Sequence, residues 1–423
     1  MRVNAGCEPA PQYKNASISE WILLMSTSVR IVVFGLFLAA SGCASTEERQ
    51  AVDDWVRINQ QSYAQNWERA AGSWPVAASD HNQIDASAGL GADSSLDDYL
   101  AFAALHNPDL EAAFNHWKAA LERIAQVRSL PDPRFTYRYF IENVETRVGP
   151  QQQRFGLSQT FPWFGKLELR AGVALEEARG AQAQYELQKL KLFFHVTQTY
   201  YEYYNLAQAI AAIGENRELV KYLEETVRTR FKTATGGHPD VVRVQVELGK
   251  LDDRFRSLED LRGPVVARLN AALGQDTNVQ LPWPQRLAYT PIHINEAELF
   301  ATLPDSNPEL RALRHQIARE HQKLRLAKKD YYPDITLGVD YIDTGSAVGV
   351  GVSDSGQDAV AAGLSINIPI WHEKYSAGVR EGIARFGAAT KERVDRENIL
   401  QAELKTAITF WQSKDCFPTD PQT

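Results

Sequence analysis

An internal duplication constrains this chain more than any other feature of its 423 residues. The segment GLSQTFPWFGK at 156–166 returns as GLSINIPIWHEK at 363–374. NPDL (107–110) and NPEL (307–310) precede the two segments, and AGVALEEAR (171–179) and AGVREGIAR (377–385) follow them. Asparagine followed by proline and an acidic residue is typical of a helix start. The pattern predicts two copies of one unit made of a helix, two strands and a long helix, with a period far longer than that of solenoid repeats.

Four segments alternate apolar and polar residues with the period of a β-strand. In the first, at 134–143, Phe135, Tyr137, Tyr139 and Ile141 share one face, and only Phe140 breaks the polar side. The segments 155–161, 335–341 and 360–368 alternate in the same way. The length of each run is close to that of a tilted strand that crosses a bilayer, which is about 9–11 residues. An antiparallel sheet half-buried on a soluble core shows the same alternation and stays open as an alternative.

Four strands are too few to close a transmembrane barrel, because about eight are needed and an open edge in lipid leaves backbone groups without hydrogen-bond partners. A barrel shared by three copies satisfies every edge. We therefore predict a fold that is mainly α with membrane β. Long α-helical coiled-coil hairpins are joined to two β-hairpins, which contribute four strands per chain to a trimeric twelve-stranded β-barrel.

The segments after the strands are predicted to be long helices. From Trp163 to Lys232 the chain has no proline and keeps apolar residues three and four positions apart, which predicts a helix of roughly 100 Å. TGGHPD (235–240) predicts a tight turn, with Pro239 starting the return helix. That helix carries a heptad pattern, and Pro264 is expected to kink or shorten its end.

The N-terminal region indicates export. The apolar segment 31–40 is too short for a transmembrane helix, which needs about 20 residues. With Met25 as the working start, Arg30 supplies a basic region, and ASGC (40–43) places small residues before a cysteine. This arrangement resembles a bacterial lipoprotein signal, which implies lipid attachment at Cys43. An ordinary signal peptide with an incidental cysteine is the alternative.

Several function classes lack support in the sequence. The net charge of −8 and the lack of a basic block argue against nucleic-acid binding. The sequence has no HExxH motif, phosphate-binding loop or nucleophile elbow. His238 stands alone in its turn, where a histidine is far more often a turn residue than a metal ligand. We expect no catalytic residue, no metal and no cofactor.

Together, the lipoprotein-like signal, the NPDL and NPEL openings, LPDP (130–133), GLSQTFPWFGK and the hairpin of very long helices resemble the TolC-like outer-membrane efflux channel family. The resemblance covers about residues 95–411. It implies a homotrimer whose strands form an outer-membrane barrel and whose helices form a periplasmic tunnel. The implied partners are a periplasmic adaptor protein, an inner-membrane efflux pump and outer-membrane lipid. LPDP resembles the heavy-metal cation branch of the family.

The resemblance also suggests positions for functional residues. Arg138, Glu142 and Asp340 are candidates for the pore-facing side of the barrel, where charge would set selectivity; ordinary water-facing polar residues are the alternative. The turn Gly236, Gly237, His238 and Pro239 would form the periplasmic tip. The hairpin loops at 144–153 and 344–358 would face outside, with strand pairing continuing into the second loop. Pro162 and Pro369 would end the last strand of each hairpin.

The predicted organisation has six parts. A signal region (1–42) and a lipid-anchored segment with linker (43–94) precede the first repeat (95–274), a linking belt (275–306), an incomplete second repeat (307–415) and an aberrant tail (416–423). Carrying the repeat offset forward, the second copy would run to about residue 480, so roughly 60 residues are missing. We therefore expect a C-terminally truncated copy with poor assembly or a leaky channel.

Three functions of different classes remain. The first is a passive exit duct for cations or small toxic compounds in the outer membrane of a Gram-negative bacterium. The second is a lipid-anchored coiled-coil scaffold without a pore. The third, an envelope enzyme, has no nucleophile, acid pair or metal cluster to support it.

Overall fold

The computed structural model describes residues 90–413, except residue 92, residues 285–294 and residue 350. All of them belong to one of two compact units, residues 55–423. The predicted signal region, the lipidation site Cys43 and the tail at 416–423 lie outside the described residues. The domain boundaries given above stay predictions.

Each half of the chain opens with two consecutive helices. Helices α1 (Leu96–His106) and α2 (Pro108–Arg128) begin the first half, and α6 (Glu296–Ser306) and α7 (Pro308–Lys329) begin the second. The α2 cap is Asn107, whose side chain accepts from two backbone amides at 3.0 Å. Asn307 caps α7 in the same way, at 2.9 and 3.2 Å. The repeated NPxL motif therefore forms the same helix start twice.

The four predicted strands form one antiparallel sheet in the order β1-β2-β3-β4. They are β1 (Arg134–Thr146), β2 (Gly149–Phe161), β3 (Ile335–Thr344) and β4 (Ala359–Ile366). The central pair, β2 with β3, joins the two halves, with Phe155 opposite Tyr341 and Leu157 opposite Val339. Strands β1 and β4 form the two outer edges.

The first long helix agrees with the prediction. Helix α3 (Lys166–Lys232) has 67 residues and is therefore roughly 100 Å long at about 1.5 Å per residue. The return consists of α4 (His238–Asp260) and α5 (Arg262–Leu273). The break lies at Leu261, just before Pro264, because the proline ring conflicts with the carbonyl four residues earlier. Helix α8 (His372–Ser413) follows β4.

The main apolar core lies where α1 and α5 pack against α3. Tyr99, Tyr200 and Leu269 are buried there, and the rings of Tyr99 and Tyr200 meet edge to face with centroids 5.0 Å apart. Burial, together with the neighbouring tyrosines, raises the pKa of Tyr99. Tyr203 donates from its hydroxyl to the carbonyl of Leu281 at 3.0 Å, which holds the segment after α5 against the same core.

The loops of the two hairpins differ from the prediction. The prediction of a ten-residue loop at 144–153 is wrong, since Thr146 pairs with Gly149 across a two-residue turn. Gly149 has φ +135°, and a Cβ there would meet the carbonyl oxygen of Gly345 at 1.7 Å. The shape of this turn therefore depends on contact with the second hairpin, which local sequence does not encode.

The loop of the second hairpin also differs from the prediction. Strand pairing was expected to continue through Gly349 and Gly351, but the described residues of 345–358 form bends and turns. Gly351, Asp354 and Gly356 have φ of +83°, +64° and +77°. Left-handed backbone of this kind is incompatible with a strand. Strand β4 also ends at Ile366, two residues earlier than predicted.

No helix packs extensively on either face of the sheet within the described residues. The side chains of Phe135, Tyr137, Tyr139 and Leu364 on the apolar face are 51–69% exposed. Leaving such side chains in water forgoes roughly 1.5–3 kcal/mol each. The alternative of a sheet half-buried on a core made by these helices is therefore wrong.

Candidate channel-lining face

The polar face of the sheet brings together charged side chains from both halves of the chain. Arg154 on β2 and Asp340 on β3 form an ion pair with Nη2 and Oδ2 2.5 Å apart. Both side chains are about one-third exposed, so the pair lies on an accessible surface. Its partners are separated by 186 residues in sequence.

Gly156 makes room for this pair. It lies directly opposite Asp340 in the strand register. A Cβ at Gly156 would meet the Asp340 carboxylate oxygen Oδ1 at 2.5 Å, closer than real Cβ contacts. A glycine inside a strand often marks such a close approach. The absence of a side chain at Gly156 lets the Asp340 carboxylate lean toward Arg154.

Arg138 extends the charged group across a third strand. It lies on β1 directly opposite Arg154 and is exposed. Like charges directly opposite each other repel, and the Asp340 carboxylate beyond Gly156 offsets part of that repulsion. The structure thus brings two of the predicted pore-facing residues, Arg138 and Asp340, onto one face with Arg154 between them.

Glu142 is not part of this group. The pairing of β1 with β2 shifts register between Tyr139 and Val144. Glu142 lies inside that irregularity and is exposed. The two-residue alternation of β1 therefore does not determine which face of the sheet Glu142 is on. The same irregularity accommodates Phe140, the residue that broke the predicted polar face.

Arg154 was missed by sequence reasoning. It comes directly after the residues that were assigned to a loop, and the β2 segment was read as starting at Phe155. Extending the alternation backward from Phe155 would have placed Arg154 on the same face as Gly156 and Ser158. Its partner could not have been found this way, because the partner depends on the register between β2 and β3.

A second polar group lies where the strands give way to α3. The Lys166 side chain is only 4% exposed, and its Nζ donates to Asp334 Oδ1 at 2.8 Å and to the Tyr332 carbonyl at 2.9 Å. The backbone amide of Trp163 donates to the same Asp334 oxygen at 2.9 Å. The Trp163 and Tyr332 rings stack with centroids 5.4 Å apart. We call this group, Trp163, Lys166, Tyr332 and Asp334, the junction cluster.

The junction cluster joins the two halves of the chain beneath the sheet. Partial burial alone would oppose ionisation of Asp334, but the hydrogen bonds from Lys166 and from the Trp163 amide lower its pKa. A buried ammonium group needs a counter-charge and hydrogen-bond acceptors, which Asp334 and the Tyr332 carbonyl supply to Lys166. The cluster thus fixes the direction in which α3 leaves the sheet.

The predicted tip residues lie at the far end of α3. Gly237 precedes α4, which begins at His238 with Pro239 as its second residue. The turn is closed by the backbone amide of Thr235, which donates to the Arg230 carbonyl at 2.9 Å. The ring of His238 lies 5.5 Å from that of Phe231. Nothing in these contacts assigns the tip a ligand.

Two findings hold for the part of the chain that the structure describes. None of the helices in this part of the chain has the length and apolar character needed to cross a membrane. The same residues contain no group of three or more histidine, cysteine, aspartate or glutamate side chains able to hold a metal ion.

Comparison with known proteins agrees with this geometry. The family model described as "Outer membrane efflux protein" matches residues 301–415. The chain is also similar to three solved structures: the outer membrane protein VceC from Vibrio cholerae, the outer-membrane channel CmeC from Campylobacter jejuni, and the outer-membrane channel OprN. No curated protein matches the chain in sequence.

The structural likeness extends over most of each chain. VceC gives a TM-score of 0.59 at 17% identity, covering 75% of this chain and 79% of VceC. OprN gives 0.61 at 16%, covering 81% and 82%. CmeC gives 0.57 at 14%, covering 77% and 75%. The chain therefore shares the fold of these three proteins.

This likeness confirms the coarse prediction of a mainly helical chain with one four-stranded antiparallel sheet. The predicted similarity to outer-membrane efflux channels is likewise confirmed, since the matched family is described as an outer membrane efflux protein and OprN and CmeC are outer-membrane channels. The trimer, the closed barrel, the metal-cation branch and the truncation stay predictions.

Proposed function

We propose that the chain is one protomer of an outer-membrane exit duct for efflux, through which solutes pass without chemical change. Three copies would place their sheets side by side as a twelve-stranded barrel, with the apolar faces toward lipid and the polar faces toward the lumen. One observation carries the proposal. The sheet exposes an apolar face, holds a charged group on the opposite face and is packed on neither by the helices of its own chain.

The helices support a long periplasmic extension of this duct. Helix α3, roughly 100 Å at about 1.5 Å per residue, leaves the sheet at the junction cluster and ends at the turn 233–237. We propose that this turn, with the predicted tip residues Gly236, Gly237, His238 and Pro239, meets a periplasmic adaptor protein that connects the duct to an inner-membrane pump. The proposed duct requires neither a nucleic-acid partner nor a cofactor.

The charged group on the polar face would set the net charge of the lumen at one depth along the proposed pore. Each copy contributes the guanidinium groups of Arg138 and Arg154 and the carboxylate of Asp340. A ring of copies therefore carries net positive charge at that level, and charged rings bias permeation through wide pores. Of the two proposed cargo classes, this charge favours small organic compounds over metal cations, and hence argues against the heavy-metal branch.

We further propose lipid attachment at Cys43, which would hold the N-terminal region at the membrane from the periplasmic side. Metabolic labelling with a palmitate analogue tests this. Cys43→Ser should lose the label, whereas Cys416→Ser should keep it. Label that survives Cys43→Ser would contradict the lipoprotein assignment.

Pore formation is tested with the purified full-length chain in planar lipid bilayers. The channel function predicts conductance and heat-sensitive trimers on gels. Stable trimers with discrete conductance steps would contradict the poor assembly or leaky channel that the repeat pattern leads us to expect. Arg154→Ala should shift the reversal potential in a salt gradient toward cation selectivity, whereas Arg147→Ala in the first hairpin turn should shift it less. Absence of conductance, together with peripheral extraction from membranes by detergent, would favour the lipid-anchored coiled-coil scaffold instead.

A further inference from the structure

The outer edges of the sheet are the place where a second copy would attach. In the order β1-β2-β3-β4, strands β1 and β4 each have a neighbour on one side only. Because all neighbouring pairs are antiparallel, β4 of one copy and β1 of the next also run in opposite directions. Edge strands in lipid need a partner for their backbone groups.

The chain contains its own example of such a contact. The central pair joins β2, the last strand of the first half, to β3, the first strand of the second half. A contact between β4 and the next copy's β1 has the same form, because β4 is the last strand of the second half and β1 the first strand of the first. The internal pair is therefore a template for the register between copies.

The duplication allows the template to be transferred. Gly156 in GLS of β2 corresponds to Gly363 in GLS of β4, and Asp132 before β1 corresponds to Asp334 before β3. In the template, Leu157 faces Val339 and Gly156 faces Asp340. The equivalent pairs between copies are Leu364 with Tyr137 and Gly363 with Arg138.

We propose that β4 of one copy pairs with β1 of a second copy in the register that sets Leu364 opposite Tyr137 and Gly363 opposite Arg138. The inference rests on the proposed channel function and adds to it the residue-level contact that closes the ring. The same register sets Ile366 opposite Phe135.

The apolar side chains at the two edges fit this register. Phe135 and Tyr137 on β1 are 66% and 51% exposed, and Leu364 and Ile366 on β4 are 69% and 52% exposed. The register places each of them beside an apolar side chain on the lipid-facing side. A slip of one residue would turn one strand's apolar side chains toward the lumen, so neighbouring one-residue registers are unfavourable.

The polar face gives independent support. In the template, Asp340 occupies the space left by Gly156. At the equivalent Gly363 that space is open, since a Cβ there would have no neighbour closer than 4.0 Å. The exposed Arg138 side chain of the next copy would lie over Gly363 as Asp340 lies over Gly156. The glycine in β4 is thereby explained by a contact between copies.

Cysteine pairs test the register in outer-membrane vesicles containing the full-length chain with Cys416→Ser. Tyr137→Cys with Leu364→Cys should give disulfide-linked dimers and trimers on oxidation, because directly opposite residues have Cβ atoms about 4.5–5.5 Å apart. Tyr139→Cys with Leu364→Cys lies one diagonal away, at about 7–8 Å, and should give at least tenfold less. Leu157→Cys with Val339→Cys is the matched control, since it should form the same disulfide within one chain.

The outcomes separate the register from the channel. Intermolecular disulfides mainly at Tyr137 and Leu364 support the proposal. Disulfides mainly at Tyr139 and Leu364 overturn the register, and so does their absence while the internal control forms. In the last case, conductance in bilayers would show that only the proposed register is wrong. Absence of conductance would refute the proposed channel function as well.

Discussion

The junction cluster provides the sharpest test of the forces that hold the two halves together. Lys166→Met removes the ammonium group and keeps most of the side-chain volume. Lys166 is 4% exposed and Asp334 is 28% exposed. Removing one member of a fully buried ion pair costs about 3–5 kcal/mol. Because Asp334 stays partly exposed to solvent and keeps the hydrogen bond from the Trp163 amide, we expect Lys166→Met to lower the free energy of unfolding by about 2–3 kcal/mol.

The assay is guanidinium unfolding of the full-length chain in detergent micelles, followed by tryptophan fluorescence. Lys250→Met is the matched control, since Lys250 is 67% exposed and pairs with Glu247, which is 60% exposed. It should cost no more than about 0.5 kcal/mol. A double-mutant cycle with Asp334→Asn should show a coupling of about 2 kcal/mol.

The pH dependence follows from the lowered pKa of Asp334 in the folded state. The ionised carboxylate stabilises the fold above its unfolded value of about 3.9, and this contribution is lost as the pH falls through the lower folded pKa. The difference between the wild type and Asp334→Asn should therefore vanish in strong acid. Equal losses for Lys166→Met and Lys250→Met, or a coupling near zero, would refute this account of the junction.

Three further predictions use matched positions elsewhere in the fold. Gly156→Ala should lower the free energy of unfolding by about 0.2–1 kcal/mol, because its Cβ would displace the Asp340 carboxylate from its partly exposed ion pair with Arg154; Gly338→Ala, whose nearest contact is an ordinary 3.5 Å, should cost less than half as much. Asn107→Ala should cost more than Asn307→Ala, each within about 0.5–2 kcal/mol for the cap, because only the Asn107 amide is seen to donate to a distant carbonyl, at 3.0 Å; equal losses would contradict this. Although burial opposes it, hydrogen bonds from His315 and Arg179 lower the pKa of Glu176. Glu176→Gln should therefore reduce thermal stability at pH 7, and the difference should shrink as the pH falls from the unfolded value of about 4.3 through the lower folded pKa; a constant difference would refute the assignment.

The candidate site shows where sequence reasoning stopped. Arg138 and Asp340 were predicted on the lumen side because strand alternation is a local property with a fixed period. Glu142 was predicted on the same side, but it lies in the irregularity of β1, which arises from pairing with β2 and which the alternation along one strand does not reveal. Arg154 was missed because its strand extends beyond the segment whose apolar residues reveal it.

The sequence by itself determined the duplication, the helix starts at Asn107 and Asn307, the strand alternation and the long helix that ends before the turn at 233–237. These features depend on side chains within a few residues of one another, where period and capping act directly. Only the tertiary structure decided that Arg154 meets Asp340 over Gly156, and that Lys166 is buried against Asp334. Those contacts join residues well over a hundred positions apart, and they exist only because backbone pairing of β2 with β3 fixes one register for both halves.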